Sequence, residues 1–375
     1  MKIFQIHNRY KFYGGEDAVV DEEYKLLKKN NHKVYKIVRN NSEEIKSLTD
    51  MFLTLKNLSF SNKSINILKN YLKKYGKPDV VHIHNIFPLW TYSIFDLLEK
   101  EDIPIVLTLH NYRMIFHKLN FFNLDLIKYN YFKNSRVISF IISKLFNRNF
   151  KLLSNVDMFI THTKFTKKIF LNNGLSNEKL MIKPNFINEY LSKPVDNKKK
   201  SRALYAARLS KEKGLITLLK AAKKIDLKID ILGDGPLKGL VNKNDKDIKY
   251  HGNLSRKKVI QFISKSKFLI YPSEWFEIFG MTIIEAFSLN TLVLASDIGS
   301  IKHIIRDKEN GLLFKHGDEH DLIKKIKWIN SHPKECEQIV INAKKDFLKK
   351  YSPKKNYQKL IKIYEQAIFK KSKNH

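Results

Sequence analysis

The chain has 375 residues, enough on length alone for about two or three domains, and 43% of them are hydrophobic, which supports packed cores and argues against wholesale disorder. Lys and Arg number 70 against 37 Asp and Glu, a formal net charge of +33. The single cysteine, Cys336, excludes an intrachain disulfide and any cysteine-cluster metal site.

Such a charge has two functional readings, attraction to anionic lipid headgroups or to nucleic acid, beside the plain one of lysines spread over solvated helix faces. A nucleic-acid reader needs a recognisable module, such as aromatic RNP motifs or a Cys/His finger, and the sequence offers neither. No nucleic-acid partner is therefore expected, and a peripheral contact with an anionic inner membrane is the better functional reading. Met1-Lys2-Ile3-Phe4-Gln5 reads as a strand and lacks the features of a signal peptide. No apolar run approaches the ~20 residues that span a bilayer. The expected location is the cytoplasm, peripheral at the inner membrane.

Strand-like runs alternate with helical patterns from the start, which predicts an α/β fold of parallel sheets covered by helices. The first strands are Lys2–His7, Lys33–Val38, Val80–His84, Ile105–His110, Met158–Thr161 and Leu180–Lys183. Between the first two lies an amphipathic helix, Asp17–Asn30, with Val20, Tyr24, Leu26 and Leu27 as its apolar stripe. Residues 114–153 break the alternation: Val137, Ile138, Ile141, Ile142 and Leu145 oppose Lys133, Arg136, Lys144 and Arg148, a pattern that suits an interfacial membrane helix or one packed on its own domain. The polar stretch Asn188–Ser201, with Pro194 and Lys198-Lys199-Lys200, reads as an interdomain join.

The rhythm then restarts. Strands are expected at Ala203–Ala207, Lys228–Leu232, Ile248–His251, Phe268–Tyr271, Leu292–Ala295 and Gly311–Phe314. Helices Leu215–Ile225, Arg256–Ser264, Met281–Leu289 and Asp321–Asn330 lie between them, and Lys355–Lys371 forms a last amphipathic helix. Domains of this kind bind ligands at the carboxyl ends of their strands.

Five places carry chemistry. Gly14-Gly15 follows the first strand, where a backbone without Cβ atoms and a helix N-terminus together suit an anion; an ordinary tight turn has the same sequence. His110 ends a strand, where an imidazole donates to a sugar hydroxyl or stabilises developing charge, and His82 and His84 compete for that role. Arg208 and Lys213 follow the first strand of the second half and offer a planar fork and a mobile point charge to phosphate. Gly233-Asp234-Gly235-Pro236 makes a tight turn, either structural or leaving room for a base or ribose. Glu277 sits on a loop and Glu285 on the helix behind Phe279-Gly280, whose opening residues Met281 and Thr282 present backbone N–H groups to a diphosphate. Asp245-Lys246-Asp247 reads as a loop, and no metal is expected.

These residues resemble, nearly end to end, family 4 glycosyltransferases of GT-B fold. The resemblance rests on the Gly14-Gly15-Glu16 loop, Pro78-Asp79-Val80-Val81-His82-Ile83-His84, Thr108-Leu109-His110-Asn111-Tyr112-Arg113, Arg208-Leu209-x3-Lys213-Gly214, Gly233-Asp234-Gly235-Pro236 and Glu277-x7-Glu285. Ala207 and Asn290-Thr291 depart from the family pattern. The resemblance implies two doubly wound Rossmann-like domains facing across a cleft. Residues 1–188 would bind the acceptor and 189–352 the nucleotide sugar, with 353–375 returning to the first domain. It also implies a retaining transferase that takes a nucleotide-diphosphate sugar as donor and a glycan or lipid-linked acceptor, with no metal and no cofactor, in capsule, O-antigen or lipopolysaccharide synthesis. Arg208 and Lys213 would bind the diphosphate beside Gly15, Glu277 the donor sugar's hydroxyls and Glu285 the ribose. His110 would contact the sugar near the reacting centre. The competing expectations are a nucleotide-sugar epimerase of the same fold and a basic nucleic-acid-binding protein.

Overall fold

The computed structural model describes residues 1–10, 14–47, 49–50, 53–54, 57, 60–113, 115, 150–188, 201–241 and 246–373. Tyr13, the amphipathic run from Lys133 to Arg148, Pro194, the lysine triplet Lys198–Lys200 and Asp245 lie outside these residues.

The chain divides into two compact units: Met1–His162, Thr166–Lys183 and Asn356–His375 form one, and Thr163–Phe165 with Pro184–Lys355 the other. The first holds β1 (Lys2–Arg9), α1 (Gly15–Lys29), β2 (Lys33–Asn40), α2 (Asn41–Glu44), α3 (Asn62–Tyr75), β3 (Val80–Asn85), α4 (Ser93–Lys100), β4 (Ile105–Thr108), β5 (Met158–Thr161), α5 (Lys164–Asn172) and β6 (Leu180–Ile182). These strands form a six-stranded sheet in the order β2-β1-β3-β4-β5-β6, parallel throughout. A parallel sheet covered on both faces buries its strands completely, and every residue of β3 is buried, His82 and His84 included.

The second unit holds β7 (Ala203–Ala206), α6 (Leu215–Ala222), β8 (Ile229–Leu232), β9 (Ile248–Gly252), α7 (Arg256–Lys265), β10 (Phe268–Tyr271), α8 (Met281–Ser288), β11 (Leu292–Ser296), α9 (Ile301–Ile304), β12 (Leu312–Phe314), α10 (Glu319–Ser331) and α11 (Pro333–Asp346). Its six-stranded parallel sheet runs β12-β11-β10-β7-β8-β9. Two apolar layers cover its faces, one with α6 and α10 around Leu218 and Leu322, the other with α8 and α11 around Ile284 and Ala343.

Helix α12 (Pro353–Lys373) ends the chain. Its Leu360, Ile363, Tyr364 and Ala367 are buried in the first unit's core with Ile3, Val80, Val106 and Met158. Leu360 and Ile363 each contribute about 1.5–3 kcal/mol on burial.

Chain order in each sheet reverses direction once, between β1 and β3 in the first and between β7 and β10 in the second. Loops leaving the carboxyl ends of the strands on either side of such a reversal diverge and leave a crevice, the place where open α/β sheets bind ligands. This topology positions the candidate residues of both units.

Candidate active site

In the second unit the two strands flanking the reversal deliver the two halves of one ion pair. β7 ends at Ala206, and the loop after it carries the exposed Arg208 and the turn Lys211–Lys213. β10 ends at Tyr271, and the loop after it carries Ser273 and Glu277. Lys213 Nζ lies 2.5 Å from Glu277 Oε1, with side chains 25% and 12% exposed. Ser273 Oγ donates to the same oxygen at 2.8 Å. The Tyr271 hydroxyl also bonds Glu277 and is held well above its ordinary pKa by burial and then by the carboxylate's charge.

The loops are clamped together by backbone. Glu274 N donates to Glu212 O at 2.9 Å, and Tyr205 Oη donates to Arg208 O and Lys213 O at 3.1 and 3.3 Å. Gly214 makes the approach sterically feasible: its φ is +69°, and a Cβ there would stand 1.7 Å from Pro272 O. The turn after β8 is tied in as well. A Cβ on Gly233 would meet Ala207 O at 2.0 Å, and one on Gly235 would meet Leu209 O at 2.4 Å. The two missing Cβ atoms let this turn pack against the backbone that carries Arg208.

Behind the Glu277 loop, Gly280 caps α8 with no side-chain hydrogen bond to its first turn, Phe279 is buried against Tyr351, and Met281 and Thr282 are half-buried. The first backbone N–H groups and the positive end of the helix dipole favour an anion. Glu285, 7% exposed, lies further along α8 with Arg256 Nη2 2.9 Å from its Oε1. Burial raises its pKa, and Arg256 only partly offsets that.

In the first unit His110 lies two residues past β4. Its Nε2 is 3.0 Å from Nδ1 of the buried His84 on β3. Burial, then the neighbouring histidines, hold His110 well below the ordinary histidine range, so it is neutral. It lines a small pocket with Asn85, Phe87, Tyr92, Asn111 and Arg113. The Gly14-Gly15 segment opens α1, where Asp17 Oδ2 accepts from Gly14 N at 2.8 Å and Asp17 Oδ1 lies 2.9 Å from His7 Nε2. Glu16, beside Asn111, Arg113 and Tyr10, is pushed up to about 8 by burial, against the opposing pull of Arg113.

Below this surface sits a buried network that the sequence reading missed. Glu23, 1% exposed, is 3.0 Å from His82 Nδ1, 3.3 Å from His84 Nε2 and 2.8 Å from Lys183 Nζ. Burial alone would raise its pKa; Lys183 and His82 instead hold it well below the carboxylate range, so it is charged. Glu23, His82 and His84 place three ligand atoms within 4.8 Å of one another. Lys183's ammonium already neutralises the carboxylate, and His82 Nε2 bonds Thr108 Oγ1 at 2.7 Å, so this donor set suits hydrogen bonds rather than a cation. The available signal was Glu23 itself, three residues after Val20 and four before Leu27 on the apolar stripe of α1. Arg256 and Ser273, which hold the two second-unit carboxylates, carried no such signal.

The chain is similar to known proteins in sequence and in fold. Residues 13–190 match the family described as Glycosyltransferase Family 4, and residues 186–346 the family described as Glycosyl transferases group 1. The chain is 29% identical over 316 residues to an uncharacterized glycosyltransferase of Methanocaldococcus jannaschii, covering 82% of this chain and 81% of that one. It is 23% identical over 316 residues to an uncharacterized 41.2 kDa protein in the cps region of Klebsiella pneumoniae, covering 78% and 82%. Among solved structures, Anabaena HepE in complex with UDP superposes with a TM-score of 0.70 at 15% identity, over 96% of this chain and 99% of that one. The same protein is also known in complex with UDP-glucose. Two matched families that together span residues 13–346, on two parallel α/β sheets, identify the chain as a family 4 glycosyltransferase of GT-B fold.

Proposed function

We propose that this glycosyltransferase moves a sugar from a nucleotide-diphosphate donor to a glycan or lipid-linked acceptor with retention of anomeric configuration, in the assembly of a surface polysaccharide. The observation that carries the reading is the Lys213–Glu277 pair at the sheet reversal, beside the uncapped N-terminus of α8. A diphosphate takes Lys213, Arg208 and the N–H groups of Phe279–Thr282. The sugar's hydroxyls take Glu277, and the ribose diol takes Glu285. In the first unit, on the same reading, the Gly14-Gly15 segment suits an anion and His110 a sugar hydroxyl. Anabaena HepE, of similar fold, is known with UDP and with UDP-glucose, and the Klebsiella relative is encoded in a cps region; both support the reading.

In the proposed reaction the acceptor hydroxyl oxygen attacks the anomeric carbon on the face from which the diphosphate departs. The bond from that carbon to the diphosphate oxygen breaks, its electron pair stays on the oxygen, and the leaving phosphate takes the hydroxyl proton. No side chain serves as nucleophile. Arg208 and Lys213 stabilise the negative charge that develops, so the reading requires neither metal nor cofactor.

Among the described residues no helix is long and apolar enough to cross a membrane. The net charge of +33 supports a peripheral contact with an anionic inner membrane from the cytoplasmic side. The deciding experiment incubates the protein with nucleotide sugars and saccharide acceptors and reads the anomeric configuration of the product by NMR. An α-linked product from an α-linked donor supports the proposal. Inversion, or epimerised donor without transfer, contradicts it.

A further inference from the structure

His110 does not stand alone. It is the outermost of three groups in a row, Glu23, His84 and His110, of which the first two are buried and the last partly exposed. Glu23 Oε1 lies 3.3 Å from His84 Nε2, and His84 Nδ1 lies 3.0 Å from His110 Nε2. The two rings meet edge to edge, with centroids 5.3 Å apart and 24° between their planes.

From this row we infer that Glu23 is a positioning residue acting through His84. It fixes His110 with its proton on Nε2 and a bare Nδ1, so that His110 accepts a hydrogen bond from a sugar hydroxyl and does not donate one. The inference rests on the proposed contact between His110 and a sugar hydroxyl.

The argument is one of counting protons. Burial lowers His84 to about 3 and His110 well below its ordinary value, so both rings are neutral and each carries one N–H. Only one proton fits between His84 Nδ1 and His110 Nε2. If it belonged to His84, the lone pair of His84 Nε2 would face the charged Glu23 carboxylate at 3.3 Å. If it belongs to His110, His84 Nε2–H instead faces that carboxylate across the same 3.3 Å, and the repulsion becomes an attraction between a charge and the N–H dipole. Gln5 Nε2 is the competing neighbour, 3.1 Å from His84 Nε2 and 3.4 Å from Val20 O. It is a neutral amide: a flip of its side chain turns the oxygen toward His84 and gives up the long 3.4 Å bond to Val20 O, a weaker demand than the full charge of Glu23. The carboxylate therefore decides the tautomer, and the decision passes through His84 to the ring at the surface. Asn356 and Glu23 both hold Lys183, so the charge that sets the relay is itself fixed in place.

The test labels the full chain with ¹⁵N-histidine and reads the tautomer of each of its 13 histidines from long-range ¹H–¹⁵N correlations, without donor. The His110 signals are assigned by their loss in His110→Asn. A His110 ring protonated on Nε2 supports the inference; one protonated on Nδ1 overturns it. Glu23→Gln, which leaves a neutral amide facing His84, shifts His110 toward the Nδ1-protonated form. It lowers kcat about tenfold, the scale of one hydrogen bond, with donor KM within about twofold. Unchanged Nε2 protonation in a folded Glu23→Gln protein overturns the assignment to Glu23. Should that variant not fold, Gln5→Met decides: His110 stays protonated on Nε2 if Glu23 is in control, and a change of tautomer transfers control to Gln5 and overturns the inference. Since the tautomer is read without substrate, its failure and the failure of the transfer reaction are separate results.

Discussion

Lys213 and Glu277, 64 positions apart in the chain, meet at 2.5 Å because β7 and β10 are neighbours at the point where the order of the second sheet reverses. Each is the other's counter-charge in the ligand-free protein. On the proposed reading a donor replaces the pair with two separate sets of contacts, diphosphate on Lys213 and sugar hydroxyls on Glu277. Lys213→Ala and Glu277→Ala each lower kcat about 100-fold or more, the cost of one preorganised transition-state contact. Steady-state kinetics on folded variants checks this, and turnover within threefold of the wild type removes the pair from the mechanism.

Gly214 has little tolerance for substitution. With φ at +69° and Pro272 O at 1.7 Å from a built Cβ, Gly214→Ala combines left-handed strain with a backbone clash. The strain alone costs about 1–2 kcal/mol, and the clash pushes the Lys213 turn away from the Glu277 loop. The expected outcome is a lower Tm and a loss of turnover approaching that of Lys213→Ala. Gly239, with nothing within 4 Å of its built Cβ, is the control whose replacement by Ala leaves both unchanged.

Glu16 predicts a pH dependence of stability. Its carboxyl is raised from 4.5 to about 8 in the folded protein by burial, against the opposing pull of Arg113, with Asp17 adding to the rise. The folded state therefore holds a proton that the unfolded state releases above about 4.5. This contribution to stability is complete below that pH and is lost as pH rises toward 8. Glu16→Gln, which mimics the protonated form, flattens the fall in Tm between pH 5 and pH 8. Equal slopes for wild type and variant would remove the assignment.

Glu285, buried on α8, pairs with the partly exposed Arg256 on α7, and on the proposed reading the carboxylate also serves the ribose. Glu285→Gln keeps shape and burial but weakens one charge-assisted contact. Donor KM then rises about tenfold, with a smaller effect on kcat, since a ribose bond is made equally in ground and transition states. A fall in kcat at unchanged KM would place Glu285 at the reacting centre instead.

Much of the frame was legible in the sequence because parallel strands buried on both faces are short apolar runs, and the runs at Met158–Thr161 and Phe268–Tyr271 have the same bounds in the structure. The charged residues at the ends of β7 and β10 were legible for the same reason, since a strand end in such a sheet borders a ligand crevice. Strand β4 ends at Thr108, however, two residues short of the expected His110. Helices α2, α3, α4, α5, α9 and α11 were not read at all.

The buried charges were harder to read. Glu23 is stable inside only because Lys183, 160 positions away, reaches it, and no local pattern announces a partner at that distance. Gly233 was legible as a tight turn, but the close approach of Ala207 O that its missing Cβ permits involves a residue 26 positions away, which no local pattern announces.

The central claim is that Lys213 and its neighbours in the second unit hold a nucleotide-diphosphate sugar. Thermal denaturation of wild type and Lys213→Ala against a panel of UDP-, GDP-, ADP- and dTDP-sugars tests it most directly, because a ligand at 100 times its Kd adds about 2.7 kcal/mol to stability. At least one nucleotide sugar is expected to raise the Tm of the wild type, with the shift lost or sharply reduced in the variant. A panel that shifts neither protein, or shifts both equally, contradicts the account.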